Sequence, residues 1–98
     1  MRLTLLSLIF LASLPAHADS LGADDVLMLV EEGTVMPLEE ILELHPQISQ
    51  STLLDIELER EEDGQLIYEF EILNGNRVVM EFEIDARTGQ LLREEFED

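Results

Sequence analysis

In the second half of the chain, apolar and acidic residues take turns with a period of two, the signature of strands with one buried face. Leu54, Ile56 and Leu58 alternate with Asp55, Glu57 and Glu59. Leu66, Tyr68, Phe70 and Ile72 alternate with Ile67, Glu69 and Glu71, and Val78, Met80, Phe82 and Ile84 with Val79, Glu81 and Glu83. Glu62-Asp63-Gly64 and Asn74-Gly75-Asn76 separate these runs, so they predict an antiparallel meander with one apolar face. A fourth short strand is expected around Gln90 to Glu94, after the turn from Asp85 to Gly89.

Parity narrows the register, because residues opposite one another in a ladder share a face. A two-residue Asn74-Gly75 turn would set Phe70 against Val79 and Glu69 against Met80, mixing the faces, and is rejected. A three-residue loop with Gly75 in the left-handed conformation, a type I turn with a G1 bulge, keeps them apart. It pairs Phe70 with Val78, Tyr68 with Met80 and Glu71 with Arg77. The same kind of loop closed by Gly64 pairs Leu58 with Tyr68 and Ile56 with Phe70. Glu69 to Ile72 repeats as Glu81 to Ile84, so the repeat makes two neighbouring strands whose Phe and Ile residues point inward. The outer face then collects Asp55, Glu57, Glu59, Glu69, Glu71, Glu81 and Glu83, with Arg77 the base placed among them.

Two segments ahead of the strands have helical features. In ADDVLMLVEEG, Asp24 or Asp25 suits the N-cap and Gly33 the stop, although the run VLMLV fits a buried strand as well. In MPLEEILELHP, Pro37 suits the first helical position, Glu39 and Glu40 the positive helix end, and Pro46 follows the stop. Leu38, Ile41, Leu42 and His45 recur on one face of that helix. The fold class expected is α+β: one or two short helices packed on one face of a four-stranded antiparallel β-sheet.

The first residues read as an export leader. Arg2 precedes the apolar run Leu3 to Leu14, Pro15 breaks it, and Ala16-His17-Ala18 forms a small-x-small cleavage site. The run is shorter than the about 20 apolar residues of a spanning helix, so a membrane anchor is the weaker reading. Residues 1–18 are expected to be cleaved, residues 19–98 to form one domain, and the product to be periplasmic or secreted without a membrane anchor. The chain has no cysteine, so packing alone must hold so small a domain in an oxidising compartment.

Charge then limits the partners. Cleavage leaves Arg60, Arg77, Arg87 and Arg93 against 23 acidic residues. Nucleic acid and anionic membrane surfaces need a basic face and are excluded on that ground. Such a field attracts cations or a partner's basic patch, and an open sheet edge admits a homodimer. The glutamate face has three readings: a solubility device, a docking surface for a basic protein, and a loose divalent-cation binder.

The pattern Gly33, Val35 to Leu38, Ile41 and Leu42, followed by Leu54 to Glu59, Asp63 to Ile72 and Glu81 to Leu91, resembles the PepSY domain in its small, free-standing exported form. The likeness covers about residues 24–95, and its most specific part is Ile84 to Gly89, where Asp85 can bond the turn backbone and Gly89 can take a positive φ. In the first helix DDVLMLVEEG stands where related members carry a more basic segment. The resemblance implies an exported binding domain that modulates a peptidase, as in metalloprotease propeptides, or another envelope protein such as a two-component sensor. It implies no catalytic residues.

No catalytic or high-affinity metal motif competes with that reading. A carboxylate-based hydrolase needs its pair held in a cleft, and neither GxSxG, HExxH nor a phosphate-cradling glycine loop occurs. His45 is expected at its helix end against the final carbonyls, since a lone histidine makes a weak zinc signal. The spacing in DIELEREEDG misses a calcium loop. No cofactor is expected beyond weak divalent-cation binding on the acidic face.

Overall fold

The computed structural model describes residues 19–97; the expected export leader, residues 1–18, lies outside the described residues. Their order is β1 (Asp19–Ser20), α1 (Ala23–Glu31), α2 (Leu38–Leu44), α3 (Pro46–Ser49), β2 (Thr52–Arg60), β3 (Leu66–Leu73), β4 (Val79–Asp85) and β5 (Leu91–Phe96). The strands form one antiparallel sheet in the order β1-β2-β3-β4-β5. The α+β class is as expected, with five strands in place of four. The added strand is β1, two residues too short to show a period.

The helices start and stop for local reasons. α1 ends in a Schellman cap: Thr34 N–H reaches the Leu29 carbonyl, Gly33 N–H reaches that of Val30, and Gly33 has φ +79°. ADDVLMLVE is therefore a helix and not the alternative strand, with Val26, Leu29 and Val30 packed against the core. Pro37 is the N-cap of α2 and not its first helical residue, so the helix starts one residue later than expected. Pro46 opens a further single turn, α3, that buries Ile48 completely. Ile41, Val35 and Ile48 join Leu58, Leu66, Tyr68, Phe70, Ile72, Met80, Phe82 and Ile84 in one core, with Val26, Leu29, Val30 and Leu38 packed at its margin. The helices thus lie on the even-numbered face of the sheet.

The two central hairpins differ from one another. Between β2 and β3 the register is as expected from Asp55 to Arg60, with Leu58 opposite Tyr68 and Ile56 opposite Phe70, but a bulge sets Leu53 against Ile72 and leaves Leu54, expected on the apolar face, exposed; Gly64 at φ +90° closes the loop. Between β3 and β4 the expected pairs are corrected: Phe70 faces Phe82, Tyr68 faces Ile84 and Glu71 faces Glu81. The loop is a three-residue turn of the expected type placed later, at Gly75, Asn76 and Arg77, with Arg77 in place of Gly75 at positive φ (64°). Asn74 moves it there. Its side-chain oxygen accepts the N–H groups of Asn76 (2.8 Å) and Val78 (3.0 Å), while its N–H donates to the Val78 carbonyl. That cap lets both strands run on to Leu73 and Val79 and aligns the two copies of the repeat, setting Phe70 opposite Phe82 in the core.

Candidate functional site

The seven predicted acidic residues do come together on the face that the helices leave open. Across β2 and β3, Asp55 faces Glu71 and Glu57 faces Glu69; across β3 and β4, Glu69 faces Glu83 and Glu71 faces Glu81. Each row thus sets carboxylate beside carboxylate, an arrangement that costs stability where nothing compensates it. Arg77 is not among them, since the corrected register carries it out into the exposed turn.

The base on this face is Arg93 of β5. It lies opposite Glu83, and its Nη2 donates to Glu83 Oε2 at 2.8 Å and lies 3.7 Å from Glu81 Oε1, while Nη1 pairs with Glu95. Hydrogen bonding to Glu83 first, then to Glu95, holds the guanidinium firmly protonated. At the opposite edge Ser20 Oγ donates to Glu57 Oε1 at 2.7 Å. That bond keeps the Glu57 carboxyl below the ordinary range.

Between these edges the carboxylates perturb one another. Glu59 is pushed up to about 7, first by desolvation and then by the charge of Glu69; Glu69 is also raised, mainly by desolvation. The drying agent is visible: Ile67 is opposite Glu59, on the acidic face, and only 7 % exposed. At the end of β5, Glu97 is pushed up to about 7 because its protonated form bonds Glu81 and Glu71. Two carboxylate triads result, Glu57 with Glu59 and Glu69, and Glu71 with Glu81 and Glu97, each with oxygens within 4.8 Å of one another.

Comparison with known proteins places this sheet. A family model described as the peptidase propeptide and YPEB domain, PepSY, matches residues 45–95, more than half of the chain. The chain belongs to the PepSY family. No curated protein and no solved structure matches it. The PepSY match takes in α3 and the four long strands; α1 and α2 lie outside it, so the matched span is shorter than the resemblance read from sequence.

The most specific PepSY segment is also the best satisfied. Asp85 Oδ1 accepts the N–H groups of Arg87 (2.8 Å) and Thr88 (3.0 Å), and these bonds outweigh its burial and keep its carboxyl below the usual value. Gly89 has φ +81°, and a Cβ there would stand 2.6 Å from Leu44 Cδ1. His45 stands at its helix end as expected, as the C-cap of α2, but its side chain turns to this loop and not to the final helical carbonyls. Its Nε2 lies 2.7 Å from the Gly89 carbonyl oxygen, and because a carbonyl only accepts, Nε2 carries the proton.

Sequence reasoning missed Ser20, Glu97 and the role of Arg93. Arg93 is followed by two glutamates, so its facing depended on a bulge at Leu92 that shifts the β5 register. The alternation Leu91-Leu92-Arg93 carries no sign of that bulge.

Proposed function

We propose that this PepSY protein is exported to the periplasm or outside the cell and modulates an envelope protein, a peptidase or a two-component sensor, by binding it. It has no catalytic role of its own in this reading, in keeping with a family of peptidase-propeptide type. The observation that carries the proposal is the helix-free sheet face on which the seven predicted carboxylates, joined by Glu95 and Glu97, meet Arg93. A basic patch on the partner would relieve the cross-strand repulsion, so docking gains electrostatic free energy that the free domain lacks. No helix among the described residues is long and apolar enough to cross a membrane, which fits a domain that reaches its partner by diffusion.

The test is crosslinking in intact cells followed by identification of the captured protein. One peptidase or sensor should be enriched, and Glu71→Lys with Glu81→Lys should abolish its capture. Recovery of nothing above background, or capture unchanged by both reversals, rejects the proposal. A second reading, a divalent-cation or polycation binder without a dedicated protein partner, draws on the two carboxylate triads. Calcium titration followed by calorimetry separates it: saturable heat lost on Glu59→Gln and Glu81→Gln favours the cation.

A further inference from the structure

A second surface, sharing only Glu57 with the acidic face, lies where α1 leans over the edge of β2. β1 covers only one end of that edge: Asp19 pairs with Arg60 and Ser20 with Glu59, and Leu21 N–H donates to the Leu58 carbonyl at 2.9 Å before the chain turns into α1. Leu58 therefore directs its backbone groups outward. Alternation gives Ile56 the same direction, and among the described residues no strand pairs with it there. Such an edge is a template for an added strand.

Directly beside this open edge is a groove of about 480 Å³. Ile56, Leu58 and Tyr68 form its floor, Val26 and Leu27 of α1 its wall, and Leu38 its end. α1 buries none of its residues fully, and Leu27 is 58 % exposed. The wall lies outside the residues matched by the family model. Its charged lining residues are Glu39 and Glu57, with no base among them.

From this geometry we propose that the groove and the open stretch of β2 bind an extended peptide segment of a partner, one that alternates apolar residues with arginine or lysine. The peptide backbone pairs with β2 at Ile56, continuing the lane that β1 begins. Its apolar residues, spaced by two, enter the groove beneath α1. Its cationic residues meet Glu39 and Glu57 at the rim. Backbone pairing then supplies affinity and the groove supplies selection, while charge complementarity excludes acidic segments. Glu57 is the one carboxylate shared with the acidic face, the rest of which lies across the sheet from the floor of the groove.

The probe is a fluorescein-labelled heptapeptide alternating arginine with leucine or phenylalanine, added to the protein purified after export and processing. Binding by fluorescence anisotropy should weaken about tenfold on Leu27→Gln, the loss expected when an apolar anchor is removed without a change in charge. Leu27 is exposed enough for the variant to keep its fold, which circular dichroism checks. Hydrogen exchange at the Ile56 amide should slow when the peptide is present. Binding unaffected by Leu27→Gln, or an Ile56 amide that exchanges equally fast with and without peptide, overturns the proposal. Weakening by Glu81→Gln but not by Leu27→Gln would put the probe on the acidic face and overturn it too. Concentration-dependent self-association that protects Ile56 without peptide would make a second copy the occupant and equally reject it.

Discussion

The two faces of one sheet are built from alternate residues of the same strands, yet they obey different rules. On the helical face Phe70, Phe82, Ile72 and Ile84 are almost completely buried, and each is fixed by the shape of its neighbours. On the open face Glu69, Glu71, Glu81 and Glu83 are partly exposed, and their relation is set by charge, solvent and the few groups that bond them. The contrast teaches that a domain of this size takes its stability from one side of the sheet and leaves the other for charges that oppose it. Packing on one face must outweigh repulsion on the other.

The largest break in that comparison is Phe70→Ala. Removing a fully buried ring that faces Phe82 should cost about 3–5 kcal/mol, enough to unfold much of the population, as read by urea denaturation. Gly89→Ala comes next, at about 1–3 kcal/mol, because it adds left-handed strain to the clash with Leu44. It should also disturb the His45 contact, visible in the histidine ring resonances.

The open face answers to pH instead. Glu59 is raised in the folded state from 4.5 to about 7, so the folded protein holds a proton that the unfolded chain has released. Its contribution to stability is fully present below about 4.5 and is lost as pH rises to about 7. Glu59→Gln should therefore raise the melting temperature at pH above 7 and leave it nearly unchanged near pH 4. With the carboxyl partly exposed, the gain should stay below about 1 kcal/mol. A wild-type melting temperature with no fall across this window would show that neither burial nor the charge of Glu69 raises the Glu59 carboxyl in the folded state.

The smallest effect sharpens the comparison most. Glu71→Gln should be neutral or stabilising by a few tenths of a kcal/mol, roughly the size of a like-charge cross-strand contact, in the same urea assay that shows Phe70→Ala to be severe. Equal harm from both would abolish the distinction between the faces. Sodium chloride should reproduce part of the stabilisation by screening, and calcium chloride at equal ionic strength should exceed it only if the triads bind the ion.

Much of this molecule was legible in its sequence because burial on one side of a strand imposes a period that nothing else produces. Alternation alone determined three long strands, their inward Phe and Ile residues and the common face of Asp55, Glu57, Glu59, Glu69, Glu71, Glu81 and Glu83. Gly64 and Gly89, where only a residue without a Cβ sits easily at positive φ, located two of the turns. Tertiary structure decided what parity leaves degenerate. Any shift that keeps even residues together preserves the faces, so the choice of Phe82 over Val78 as the partner of Phe70 fell to an Asn74 side chain that caps the loop. It also decided Arg93 over Arg77 as the base on the acidic face, through a bulge that has no local signature, and it made β1, whose two residues gain strand geometry only from the edge of β2 already in place.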